Sequence, residues 1–144
     1  MPSEKSVGAI IFLKDKEVKY LLLHYESGHW DYVKGHVEKG ESEEETLLRE
    51  AKEEAGLMDL KIIDGFKEKI KYFFKADGKL ISKEVVFYLA ETKTEEIVLS
   101  HEHKDFRWLS FEKARDLVTF KNAKELLKKA DAFLKKKKSL RDFG

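Results

Sequence analysis

Cysteine is absent from this chain of 144 residues. Its absence excludes disulfide bridges and thiolate metal sites and fits a reducing compartment, so a cytoplasmic location is expected. Long apolar runs are also missing. None approaches the roughly 20 residues that a membrane helix needs, and the polar start, MPSEKS, does not read as a signal peptide, so no membrane partner is expected. A charge of one dominant sign is lacking too: 29 Lys and Arg stand against 28 Asp and Glu, a net charge of +1. No global field argues for nucleic acid or an acidic partner, and no DNA partner is expected. What is there suits a globular fold, with 42% hydrophobic and 40% charged residues. The length fits one domain, no repeat or linker interrupts it, and residues 1–144 are read as a single unit.

One stretch stands out, GHVEKGESEEETLLREAKEEAGL, from Gly35 to Leu57. Ser42 with Glu45 three residues on has the capping-box pattern that starts a helix. Glu43, Glu44 and Glu45 place negative charge at the positive end of its dipole, and Gly56 is placed as a left-handed stop. Between them Leu47, Leu48, Ala51 and Ala55 share one side, while Glu50, Glu53 and Glu54 occupy another arc on the far side. Like charges three and four residues apart repel. Keeping all three suggests a divalent-cation site, and hard oxygen ligands suit Mg²⁺ or Mn²⁺. The lead-in from Lys34 to Glu41 contains Gly35 and Gly40, which allow a tight loop and a plausible phosphate cradle at the helix start.

The order Gly35, five residues, Glu41, seven residues, Arg49-Glu50-Ala51, one residue, Glu53-Glu54, one residue, Gly56-Leu57 is similar to the full Nudix box. Resemblance to the Nudix hydrolases implies an α/β/α sandwich in which the box forms a loop–helix–loop against a mixed sheet. It implies hydrolysis of a nucleoside diphosphate linked to another group, with water attacking phosphorus. It adds the Gly35 carbonyl as a cation ligand beside Glu50, Glu53 and Glu54. Arg49 and Glu41 take a structural role in it, with Arg49 holding the loop through a carboxylate pair.

The remaining segments fit an α/β fold. Residues 7–13 and 18–25 read as a hairpin around Lys14-Asp15-Lys16, and residues 30–33 as a short strand. Residues 60–63 and 66–74 read as strand regions, and Asp77-Gly78 as a hairpin turn before a returning strand over residues 83–90. Residues 106–109 read as a short strand, Ser110 as the cap of a helix to about Val118, and Asn122 as the cap of a last helix to about Lys138. The basic run from Lys135 to Lys138 reads as a solvated helix end, with a polyanion contact as the other reading. His24 and His29 are not spaced as a metal pair and read as satisfied or surface histidines.

Substrate choice rests on residues outside the box. Trp30 through Lys34 before Gly-His-Val, the run from Leu99 to Leu109 (LSHEHKDFRWL) and Phe120 together resemble the asymmetric diadenosine tetraphosphate hydrolases, which release ATP and AMP. Val33 stands where that group usually has Pro. The resemblance implies that Tyr72 and Phe120 sandwich an adenine, and that Glu102 is a candidate general base beside Glu54, with Glu53 also near the reacting centre. His101 and His103 would share a side of an extended segment and so can also be read as a chelating pair. Lys34, His36 and Lys83 are candidates to meet the oligophosphate. The expected partner is a dinucleoside polyphosphate or another nucleotide, and the expected assembly a monomer or weak dimer. Two other readings stay open: a different Nudix pyrophosphatase (acting on nucleoside triphosphates, ADP-ribose or RNA 5′ ends) and a non-catalytic nucleotide-binding module.

Overall fold

The run VGAIIFL lies at the centre of the sheet, and that position explains why it is apolar at every residue. In the computed structural model, which describes residues 3–143 with side chains to residue 138, strand β1 (Ser3–Lys14) is covered on both faces. Val7, Ala9 and Ile11 point to one side and Ile10 and Phe12 to the other, all nearly inaccessible to water. Each buried Val, Ile or Phe side chain here contributes about 1.5–3 kcal/mol.

Strand β2 (Val18–Tyr25) pairs antiparallel with β1 only through Phe12 to Lys14, then diverges. Strands β3 (Trp30–Asp31) and β4 (Val33–His36) fill the opening. β3 pairs with β2, and β4 runs antiparallel to β1 along Ser6 to Ala9. The expected single strand over residues 30–33 is thus divided at Tyr32, because its two halves serve two different neighbours. On its other edge β1 pairs parallel with β6 (Lys79–Glu91), which forms a long antiparallel hairpin with β5 (Lys61–Ala76). The turn falls at Asp77-Gly78, as the sequence predicts. β7 (His103–Leu109) lies along β2. The sheet is mixed, in the order β3-β2-β1-β6-β5, with β4 on β1 and β7 on β2.

Helix α1 (Glu43–Ala55) covers one face, packing Leu47, Ala51 and Ala55 on Val7, Ile11, Leu23 and Val33. Both halves of the capping box form between Ser42 and Glu45, and Gly56 closes the helix at φ 69°. Leu48 does not join this face and is 45% exposed. It lies about 20° beyond Ala55 on the helix circumference, at the rim of the arc that reaches the sheet.

Helices α2 (Phe111–Leu117) and α3 (Lys121–Phe143) cover the other face. Two tyrosines tie α3 down. The Tyr20 hydroxyl donates to Asp131 Oδ1 at 2.7 Å, and the Tyr32 hydroxyl to the Ala123 carbonyl at 2.5 Å. Two expected caps differ in detail. Ser110 occupies the N-cap position of α2 without a capping side-chain bond. α3 begins at Lys121, before Asn122, because the Phe120 carbonyl already accepts from the Lys124 N–H. The backbone of α3 continues past Lys138 to Phe143. Among the described residues no helix is long and apolar enough to cross a membrane.

Gly56 gives a direct test of how α1 ends. A Cβ there would sit 2.9 Å from Val98 Cβ, on a backbone that L side chains rarely adopt. Gly56→Ala is expected to lower stability by about 1–2 kcal/mol from the left-handed conformation alone. The midpoint of urea unfolding measures the loss.

Candidate active site

The site grows from the loop that β4 feeds into α1. Arg49 gathers this loop against the helix. Its Nε donates to Glu41 Oε2 at 2.7 Å and its Nη2 to Glu41 Oε1 at 3.0 Å, a two-pronged bond. Nη2 also donates to the His36 carbonyl at 3.0 Å. Nη1 reaches Glu50 Oε1 at 2.7 Å and Glu53 Oε2 at 3.2 Å. Glu41 further accepts from the Glu38 N–H and the Thr46 hydroxyl. The Arg49 bonds, followed by that backbone N–H, hold the Glu41 carboxyl down at about 2.

Helical rotation sorts the three candidate ligand carboxylates. At about 100° per residue, Glu54, Glu50 and Glu53 lie roughly 60°, 100° and 160° around the helix from Ala51, the centre of the packed arc. Their side-chain exposures follow in that order, 6%, 14% and 58%. The carboxylates therefore do not form a separate far face as their spacing suggested. Glu54 lies inside the interface with the sheet, Glu50 at its edge, and Glu53 outside, held by Arg49.

Gly35 is where β4 touches this group. A Cβ on it would lie 2.1 Å from the Glu50 carboxyl carbon, so only glycine brings this backbone against the carboxylate. Glu54 Oε2 is buried without a hydrogen-bond partner. Burial first, then the Glu50 carboxyl, then Glu102, push the Glu54 carboxyl well above the usual carboxylate range. Among the described residues no cluster of three acidic or histidine side chains converges tightly enough to hold an ion as the side chains stand. Even so, a buried acceptor with no donor, crowded by other carboxylates beside a bare backbone, fits a divalent cation well. Glu50, Glu54 and the Gly35 backbone would hold one, and Glu53 would join by leaving Arg49.

Glu102 is exposed on a turn from Ser100 to His103 that is fastened to the end of α1. The Val98 N–H donates to the Ala55 carbonyl and the Ser100 N–H to the Glu54 carbonyl. His101 and His103 do not form a chelating pair. The chain turns here rather than extending, so His101 is exposed while the His103 side chain is fully buried. His103 Nε2 lies 3.2 Å from Glu54 Oε1 without hydrogen-bond alignment, and burial pulls the imidazole below its ordinary value.

On the other side of β4 lies a cleft of about 300 Å³, lined by Asp31, Lys34, Tyr72, Phe87 and Phe120 among others. Strand alternation directs Lys34 to this side and Gly35 to the carboxylates. Lys34 Nζ is 3.0 Å from Asp31 Oδ2. Tyr72 and Phe120, 39% and 49% exposed, belong to the same cleft. Lys83 sits opposite Tyr72 across the β5–β6 hairpin, and burial, then the Lys34 charge, lower its ammonium. His36 is exposed, its Nδ1 3.4 Å from Ser6 Oγ. Two residues read as bland in the sequence are close to the site. His29 stacks on Tyr25 at 4.6 Å and approaches Phe120 at 5.2 Å. Tyr25 in turn meets His103 edge-on at 4.5 Å. Only their nearness in sequence to Trp30 and to β2 marks them; their convergence is tertiary.

The NUDIX domain signature matches residues 2–130. The chain is 38% identical over 143 residues to the asymmetrical bis(5′-nucleosyl)-tetraphosphatase of Mus musculus, covering 90% of this chain and 95% of that protein. With the Caenorhabditis elegans protein of the same description it shares 35% over 136 residues, 90% of this chain and 96% of the other. A crystal structure of a C. elegans Ap4A hydrolase binary complex superimposes with a TM-score of 0.80 at 34% identity, covering 91% of this chain and 97% of that one.

The raised Glu54 carboxyl sets a pH dependence. Its folded value exceeds its unfolded one, so its contribution to stability is complete below the unfolded value of 4.5 and is lost progressively as pH rises to the folded value of about 9. Without divalent cation, Glu54→Gln is expected to melt higher than the parent chain at alkaline pH and to show a flatter pH profile. Adding Mg²⁺ should raise the parent's melting temperature and leave that of the variant nearly unchanged. Calorimetry across pH, with and without Mg²⁺, measures both.

Proposed function

Given that the chain belongs to the Nudix hydrolase family, we propose that it hydrolyses diadenosine tetraphosphate to ATP and AMP as a single Nudix domain. The observation that carries this reading is the division of labour across β4. A cleft with Tyr72 and Phe120 lies on the Lys34 side, and a buried carboxylate pair lies against neighbouring Gly35. An adenine needs aromatic faces, a polyphosphate needs cations, and the two must meet at one strand. The animal tetraphosphatases that match nine-tenths of the chain support the same substrate.

In this reading Glu50, Glu53, Glu54 and the Gly35 carbonyl hold a divalent cation, Mg²⁺ or Mn²⁺. Such an ion supplies positive charge against the phosphate oxygens and acidifies water. Lys34 and Lys83, with His36 at the rim, meet the tetraphosphate. Tyr72 and Phe120 stack on one adenine and fix its position. Water adds to a phosphorus as the bridging P–O bond next to an AMP unit breaks, and its proton passes to a carboxylate. Glu54 and Glu102 are the two candidate acceptors for that proton. The bond that breaks leaves its electron pair on the departing phosphate oxygen, so that Ap4A and water give ATP and AMP. Arg49 and Glu41 keep the loop on the helix and take no part in proton transfer. An intact carboxylate set favours turnover over a module that only binds nucleotide.

Incubation with diadenosine tetraphosphate and Mg²⁺, followed by chromatography, is expected to show ATP and AMP in equal amounts. Two ADP, or no turnover, would contradict the proposal. Tyr72→Ala should raise KM about tenfold through lost stacking, with kcat little changed. Unchanged constants would remove Tyr72 from the substrate contacts.

A further inference from the structure

Beyond the carboxylates of the helix, a half-buried serine and a buried histidine lie between the two candidate bases. The turn from Ser100 to His103 closes through the His103 N–H to the Ser100 carbonyl at 3.2 Å. Its side chains meet as well, with Ser100 Oγ and His103 Nδ1 2.9 Å apart. The Glu102 N–H points at the same Oγ from 3.4 Å. An oxygen that accepts from this N–H still has its own proton to give to Nδ1. With Nδ1 accepting that proton, the imidazole proton would sit on Nε2, which lies 3.2 Å from Glu54 Oε1, an oxygen able to accept it. Tyr25 packs edge-on against the imidazole, and the Tyr25 hydroxyl is itself held by the Tyr32 carbonyl at 2.5 Å. The ring therefore has little room to flip.

We infer that His103 is a positioning residue for Glu54: Ser100 fixes its tautomer, and its Nε2–H steadies Glu54 Oε1 so that Oε2 is presented to the cation site. His103 Nε2 and Glu54 Oε2 are the buried side-chain atoms left unpartnered among the described residues, and they belong to this one facing pair. Turning the last torsion of Glu54, which is broad and easily moved, aligns Oε1 with Nε2. The same turn carries Glu102, so one hydrogen-bonded unit sets both carboxylates. This inference rests on the reading of Glu54 as a cation ligand. It adds a histidine that touches neither cation nor substrate and acts through an oriented carboxylate.

Two measurements test it. Long-range ¹H–¹⁵N NMR of the cation-free chain reads the tautomer directly; a proton on Nε2 of His103 is expected, and a proton on Nδ1 would overturn the inference. The second compares three variants for Mn²⁺ affinity by electron paramagnetic resonance and for kcat and KM, with folding checked by circular dichroism. His103→Gln places an amide where Nε2 stood and should stay within about threefold of the parent in all three quantities. His103→Asn places its amide where Nδ1 stood, and His103→Leu has none; both should lose about 10–100-fold in Mn²⁺ affinity or kcat. KM should move by less than about threefold. Asn and Leu variants equal to the parent, or a Gln variant as impaired as Leu, would show that the ring only fills space. Failure of the parent to cleave diadenosine tetraphosphate would overturn the substrate reading alone, since the NMR and Mn²⁺ comparisons do not depend on it.

Discussion

Arg49 is the cation around which the acidic loop and helix assemble. Glu38, Glu41, Glu50 and Glu53 all lie within ion-pair distance of its guanidinium, and the His36 carbonyl accepts from it as well. Without a fixed positive charge these carboxylates would repel and the loop would lift from α1. A planar fork is needed, because Glu41 is held by two parallel bonds while a third nitrogen is shared between Glu50 and Glu53. The glycine at position 35 completes the arrangement from below, since any side chain there would occupy the place of the Glu50 carboxylate.

That constraint also shapes the electrostatics. Arg49 neutralises the outer carboxylates but does not reach Glu54, which lies deeper in the interface with the sheet. Glu41 is held near 2 while Glu54 is pushed far up, two glutamates of one helix-and-loop unit driven in opposite directions by their surroundings. A group held in this way exerts its full effect only when a positive charge arrives beside it. The unit thus fits a divalent ion, and is expected to be less stable without one at high pH.

Much of the architecture was legible in local features. The capping box at Ser42 and Glu45, the stop at Gly56 and the turn at Asp77-Gly78 arise from neighbours in sequence, and all are present; the bond between Glu41 and Arg49 was implied by the family resemblance. Tertiary features were less legible. Helical spacing grouped Glu50, Glu53 and Glu54 but did not show that Glu54 points into the sheet, because that depends on how α1 is rotated on β1 and β4. The pattern His101-Glu102-His103 suggested alternation along a strand. A turn held by the Val98 and Ser100 bonds to α1 separates the histidines instead. Nor did strand propensities indicate that β2 leaves β1 after three paired residues, the divergence that admits β4 and brings Gly35 to Glu50.

A crystal of this chain soaked in Mn²⁺ and measured near the manganese absorption edge tests the central claim most directly. The account predicts an anomalous peak about 2.1 Å from oxygens of Glu50 and Glu54 and from the Gly35 carbonyl, with the Arg49–Glu41 pair intact. A peak elsewhere, or an ion bound with Glu54 still buried and turned away from it, would contradict that claim.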